Sequence, residues 1–281
     1  MDDLRGRVAV VTGAGSGMGL GMARAFAADG MKLVLADVDT AALDAAVAGF
    51  AAAGTEAIGV KTDVSKLEQV EALAQAALDR FGAIHVAANN AGIGIPTNTE
   101  RMKLDDWRWI IDVDLWGVIY GVHVFLPIIE KQGEGHITAT SSMAGLIAAR
   151  IMGAYNVAKH GVVAMMCTLE RDLRSRHSPV RASVLCPGPI NTGIGRNSAQ
   201  LRPSTLGQPP RDPATRGQVT GKIASNIEAM LAEGMDPDEV GRLVLDAVKT
   251  EKFWILTHPN FMKLVTRQNE AMLADRTLTR G

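Results

Sequence analysis

An α/β fold is predicted, built on one parallel, doubly wound sheet of about seven strands with helices on both faces. Three features of the sequence predict it. Seven short runs rich in Val, Ile, Leu and Ala alternate with longer amphipathic stretches, and such alternation produces parallel strands whose crossovers cover both faces of a sheet. The first apolar run passes directly into a glycine-rich turn, Thr12-Gly13-Ala14-Gly15-Ser16-Gly17-Met18-Gly19, ahead of a helical pattern. The length of 281 residues suits one domain of this class, expected to span 1–281.

In chain order, strands are expected at 8–12, 32–36, 57–61, 85–88, 136–140, 181–185 and 253–256, each an apolar run bounded by turn residues. Helices are expected between them at 19–29, 41–53, 67–80, 105–130, 155–174 and 238–249. Right-handed crossovers then restrict the topology to a doubly wound sheet. One segment breaks the rhythm. The stretch 187–220 holds six of the eleven prolines (Pro187, Pro189, Pro203, Pro209, Pro210, Pro213), together with Gly188, Gly193, Gly195, Gly207 and Gly217. A loop that long in a compact domain is usually functional or disordered, and a substrate loop or lid is expected over 187–235.

Composition narrows the function. Hydrophobic residues make up 47%, charged residues 21%, and the net charge is -1, which gives no electrostatic pull toward nucleic acid or an anionic membrane. Two cysteines, Cys167 and Cys186, lie outside any CxxC or His-rich cluster, so neither a metal site nor a disulfide is expected and both read as small buried hydrophobes. The start, Met-Asp-Asp-Leu-Arg, lacks the apolar core of a signal peptide. With no apolar run of membrane-spanning length expected, the chain reads as cytoplasmic.

The glycine turn reads as a phosphate cradle. Gly13, Gly17 and Gly19 let the backbone turn tightly and approach a ligand, and Ser16 and Met18 sit where the next helix presents free N–H groups to a pyrophosphate. Asp37 ends the second strand, 18 residues after Gly19. A carboxylate there accepts hydrogen bonds from ribose hydroxyls and repels a 2′-phosphate, which selects NAD over NADP. The alternative is a solvated helix cap.

Tyr155 and Lys159 stand at i and i+4 and share a helix face. A phenol titrates near 10 and is a poor base, but a neighbouring ammonium favours the phenolate and makes the tyrosine a usable acid/base. Ser142 lies 13 residues earlier, after the fifth strand, in Ser141-Ser142-Met143-Ala144-Gly145. Taken with the TGxxxGxG turn, Asn89-Asn90-Ala91-Gly92 and Pro187-Gly188-Pro189-Ile190-Asn191-Thr192, this order resembles the compact short-chain dehydrogenases/reductases, with their Rossmann-type fold, over 5–195.

That resemblance implies roles. Ser142 polarises a carbonyl, Tyr155 moves the proton, and Lys159 lowers the Tyr155 pKa and holds the nicotinamide ribose. Asp63 and Val64 contact adenine, Asn90 borders the cofactor, and Ile190 and Thr192 line the nicotinamide end. One position departs. The family has Asn where this chain has Asp114, in Asp112-Val113-Asp114-Leu115-Trp116-Gly117. The family's Asn holds a water in a proton relay. Asp114 is either a modified member of that relay, whose charge offsets part of the lysine's effect, or a tolerated substitution in a helix kink.

The substrate is expected to be a small secondary alcohol or ketone, apolar or aromatic, bounded by 93–96, 143–152 and the Pro/Gly-rich loop. Met143, Leu146, Ile147, Ile151 and Met152 offer an adaptable apolar wall, or alternatively core packing. Arg196, Arg202, Arg211 and Arg216 either meet an anion or decorate a solvated loop. Leu201-Arg202-Pro203 and the long tail are similar to family members that oxidise benzylic alcohols in lignin-derived aromatics. Trp107, Trp109, Trp116 and Tyr120 leave 105–130 apolar over more surface than one sheet face covers. A homotetramer or homodimer is therefore expected, as in the family. Two other functions are weighed: an NADP-dependent biosynthetic ketoreductase, such as an acyl-carrier-protein reductase, and a non-catalytic NAD-binding scaffold.

Overall fold

In the computed structural model, which describes residues 1, 3–206, 225–226 and 229–274, seven parallel strands lie in the order β3-β2-β1-β4-β5-β6-β7. They are β1 (Val8–Thr12), β2 (Lys32–Asp37), β3 (Ala57–Lys61), β4 (Val86–Asn89), β5 (Gly135–Thr140), β6 (Val180–Cys186) and β7 (Trp254–Leu256). Each end falls within one residue of its predicted position. The reason is burial on both faces. Side chains alternate along a strand, so Val8 and Val10 enter one core while Ala9 and Val11 enter the other. Such strands read as unbroken apolar runs.

The helices are α1 (Gly17–Ala28), α2 (Thr40–Ala52), α3 (Leu67–Phe81), α4 (Leu104–Ile111), α5 (Gly117–Gln132), α6 (Gly153–Ser175), α7 (Ile194–Leu201), α8 (Pro237–Thr250) and α9 (Met262–Leu273). On one face, Met22 and Phe26 of α1 and Val240 and Val244 of α8 pack with Leu33 and Leu35. On the other, Leu73 of α3, Phe125 of α5 and Met166 of α6 pack with Val10 and Val34. Truncating a residue such as Phe26, which is fully buried, costs about 3–5 kcal/mol.

Two expectations are corrected. The helix predicted over 105–130 is two helices joined by one π-type turn, Asp112–Trp116, and π-bulges of this kind concentrate at functional sites. The combined helical run Leu104–Gln132 is long and apolar enough to cross a membrane by length and composition, contrary to the expectation of no such run. Here Val118, Phe125 and Ile129 are packed into the sheet core. Within the stretch expected to be a substrate loop or lid, 194–201 forms α7. Of that stretch, Gly207, Pro209, Pro210, Arg211, Pro213, Arg216 and Gly217 lie outside the described residues.

Candidate active site

The carboxyl ends of the strands converge on a crevice where neighbours β1 and β4 send their following segments to opposite faces, the usual ligand position in an open α/β sheet. A cavity of about 770 Å³ fills it. Its floor is the glycine turn. Gly17 has a φ of +52°, and a Cβ on Gly19 would lie 2.1 Å from the Gly13 carbonyl oxygen. Gly19 is thus buried beneath the turn and packs helix against loop, whereas Gly13, Ser16, Gly17 and Met18 line the cavity. Ser16, the N-cap of α1, makes no side-chain cap bond. The first N–H groups of α1 therefore remain available to an anion.

Asp37 also lines the cavity. One carboxylate oxygen accepts the Gly15 N–H at 2.9 Å and the other accepts the Asp39 N–H at 3.0 Å. Asp39, not Asp37, caps α2. Asp63 and Val64 lie at the same end of the cavity, with Asp63 fixed by the Ser65 N–H and hydroxyl at 3.0 and 2.7 Å. Asn90 is a three-strand clasp. Its amide donates to the Thr12 carbonyl of β1 at 3.0 Å and accepts from the Thr140 hydroxyl of β5 at 3.1 Å, while its own backbone continues β4. Thr12 and Thr140 were not singled out in the sequence, since only their pairing with Asn90 gives them meaning. An open helix N-terminus, a carboxylate at the far end of β2 and a cavity joining them fit a dinucleotide.

At the other end stand Ser142, Tyr155 and Lys159. Tyr155 and Lys159 line the cavity from the first turns of α6. The Lys159 ammonium lies 5.4 Å from the centre of the Tyr155 ring and donates to the Thr140 carbonyl at 3.2 Å. The Ser142 hydroxyl accepts the Ala144 N–H at 3.1 Å and acts on the Tyr155 phenol, lowering its pKa. Ser142 is set back from the cavity lining. Its neighbour Ser141 reaches the lining, but its hydroxyl is committed to the Lys159 carbonyl at 2.8 Å.

Asp114 is wholly buried in the π-type turn. One oxygen accepts the Ile93 N–H at 2.8 Å and the other faces Lys159 at 3.5 Å. Burial pushes the Asp114 carboxyl up from its ordinary range, and the Lys159 charge and the Ile93 N–H oppose that rise. Burial likewise pushes the Tyr155 phenol above 10; Lys159 lowers it, Asp114 raises it further, and the Ser142 bond lowers it. Lys159 thus acts in the expected direction, lowering the Tyr155 pKa, against a larger rise from desolvating the phenolate.

Ile190 is buried in the core and does not line the cavity, whereas Thr192 does. None of Met143, Leu146, Ile147, Ile151 and Met152 lines it either. Met143 is buried and Leu146 packs on the sheet core. The apolar wall comes instead from Ile93, Trp109, Val113, Ile194, Leu201 and Leu206. Arg202 is buried against Asp106 rather than solvated, and Arg196 is exposed. Among the described residues no cluster of His, Cys, Asp and Glu is suited to a metal ion.

Fold and site together define a nucleotide-dependent oxidoreductase, and residues 7–202 match the short chain dehydrogenase family. The chain belongs to that family. It is similar to a short-chain dehydrogenase/reductase from Burkholderia phymatum solved in complex with NAD, at 41% identity and a TM-score of 0.94, covering 100% of this chain and 99% of that one. It is 40% identical over 199 residues to a 3-oxoacyl-[acyl-carrier-protein] reductase of Synechocystis sp., covering 70% of this chain and 79% of that protein. It is 29% identical over 276 residues to a C alpha-dehydrogenase of Sphingobium sp., covering 97% and 87%.

Proposed function

We propose that this protein is an NAD-dependent dehydrogenase of secondary alcohols, or reductase of the matching ketones, with a preference for apolar or aromatic substrates. The observation that carries the reading is Tyr155 at the wall of the cavity, with the Lys159 ammonium 5.4 Å from its ring centre and Ser142 acting on its phenol from behind the wall. In oxidation, the Tyr155 phenolate takes the alcohol proton. Ser142 holds the substrate oxygen, and the Lys159 charge stabilises the phenolate. Asp114 holds Lys159 in place and moderates that charge. The nicotinamide supplies the hydride acceptor when bound. Gly13, Ser16, Gly17 and Met18 would hold the pyrophosphate, Asp37 the adenosine ribose, Asp63 and Val64 the adenine, and Asn90 and Thr192 the nicotinamide half.

Asp37 supports NAD, because its carboxylate lines the cavity, anchored by two backbone N–H groups, and would repel a 2′-phosphate. The apolar wall of Trp109, Ile194 and Leu201, and the near full-length likeness to a C alpha-dehydrogenase, support a bulky carbinol. Likeness to an acyl-carrier-protein reductase favours a second reading, an NADP-dependent ketoreductase, against which Asp37 weighs. Exposed Trp116 (44%) on the π-type turn and Val157 (52%) on α6 support pairing of copies across that surface into a dimer or tetramer. The two unpaired cysteines support a cytoplasmic setting. A panel of secondary alcohols with NAD or NADP tests the reading. Turnover with NAD is expected, and Tyr155→Phe is expected to lower it by about a hundredfold or more with NAD binding retained. Turnover with NADP alone, or an active Tyr155→Phe, would sink it.

A further inference from the structure

The cavity wall contributed by α7 is held in place in an unusual way. Helices normally stay put by burying an apolar stripe, but the one buried side chain of α7 is Ser198. Its attachments are polar and reach three separate parts of the rim. The Ser198 hydroxyl accepts the Gly94 N–H at 2.9 Å, beyond the end of β4. The Asn197 amide donates to the Ser16 hydroxyl at 3.3 Å, on the glycine turn. Arg202, which ends α7, forms an ion pair with Asp106 in the first turn of α4.

That last tie stands apart. The side chains are 7% and 8% exposed, whereas the neighbouring Arg108–Asp105 pair on the same helix is 69% and 60% exposed. Taking two charges out of water is costly, and removing one partner strands the other. Neither Asp106 nor Arg202 lines the cavity, yet their chain neighbours Asp105, Leu201 and Pro203 do. The pair therefore sits directly behind the wall, joining its two halves. Arg202 also donates to the Leu206 carbonyl at 3.4 Å, which extends the tie past the helix end.

We propose that Asp106 and Arg202 form a latch that holds α7 closed against α4, and that Arg202 is a positioning residue governing how fast a bound nucleotide leaves. The inference rests on α7 bordering the cavity and not on the hydride chemistry. Hydrogen exchange of the full-length protein without nucleotide tests it directly, for Asp106→Asn, Arg202→Met and the double variant. In each single variant the amides of 194–201 are expected to exchange about tenfold faster or more, while those of β1 are unchanged. NADH release, followed by nucleotide fluorescence, is expected to quicken in parallel. The double variant, which strands no charge, should open α7 by less than the two single effects combined. Unchanged α7 exchange, acceleration shared equally by β1, or strict additivity would each overturn the latch. Should a single variant fail to fold, the double variant decides alone. Faster α7 exchange with β1 unchanged supports the latch, and wild-type exchange overturns it.

Discussion

Converting the Asp114 carboxylate to an amide removes one charge and almost no volume. Its outer oxygen lies 3.5 Å from the Lys159 nitrogen, itself 5.4 Å from the centre of the Tyr155 ring. The carboxylate is therefore within about 9 Å of the ring, where a unit charge at an effective dielectric of about 20 is worth about 2 kcal/mol. Asp114 raises the Tyr155 pKa, so Asp114→Asn should lower it. The amide oxygen still accepts the Ile93 N–H, whereas Asp114→Ala strands that donor, now bonded at 2.8 Å, at a cost of about 1–3 kcal/mol. The chain has two tyrosines, Tyr120 and Tyr155. In a Tyr120→Phe background, tyrosinate absorbance against pH thus reads Tyr155 alone, with no substrate required. With a secondary alcohol and saturating NAD, the alkaline rise of kcat/KM should move to lower pH by the same interval, and Asp114→Ala should lose rate. Superimposable titrations would remove Asp114 from the site's electrostatics, and a shift to higher pH would show that its carboxyl is neutral or its sign of action misjudged.

Asp37→Asn keeps an acceptor for the Gly15 N–H and should narrow the preference for NAD over NADP, while Asp37→Ala should in addition loosen the turn. Competitive titration of both nucleotides checks this, and an unaltered preference would refute the role of the charge. Gly19→Ala places a methyl 2.1 Å from the Gly13 carbonyl oxygen and should cost about 1–3 kcal/mol of stability along with nucleotide affinity, measured by urea melts and by NADH binding. His136, wholly buried against Ser183, is held neutral, its pKa pushed from 6.5 down to about 3 by burial. The unfolded chain takes up that proton first, so this contribution is complete above pH 6.5. It is lost on acidification at about 1.4 kcal/mol per pH unit down to pH ~3. Urea melts should show wild type losing about 2 kcal/mol more than His136→Gln between pH 6.5 and pH 5.

The strands were legible because burial on both faces leaves a continuous apolar run. The glycine turn was legible because few other sequences can turn a strand into an open helix end. Tyr155 and Lys159 were legible through helical spacing, and Ser142 through its distance from them along the chain. The break at Asp112–Trp116 was legible only as the helix kink weighed for Asp114, since a π-type turn leaves helical periodicity nearly intact. α7 was hidden because it carries Gly195 and buries no apolar stripe that periodicity could reveal. For the same reason the sequence left Arg202 open between meeting an anion and decorating a solvated loop. Adjacency to Thr192 says nothing about which way a side chain points, so the burial of the Ile190 side chain in the core of the sheet was not legible.

The strand order carries a consequence for how the protein is made. β1 pairs with β2 across a short crossover, but on its other side it pairs with β4, Ala9 opposite Val86 and Val11 opposite Ala88. Joining partners so far apart along the chain requires closing a long loop, which slows their meeting. A growing chain that has released only β1 to β3 therefore carries Val8–Thr12 with one side unpaired, an apolar strand edge of the kind that recruits other chains. The Asn90 clasp arrives with β4 and is completed only when Thr140 of β5 emerges. Nucleotide competence is thus gained late and in one step, and overexpression should strain chaperone capacity most before residue 140 has left the ribosome.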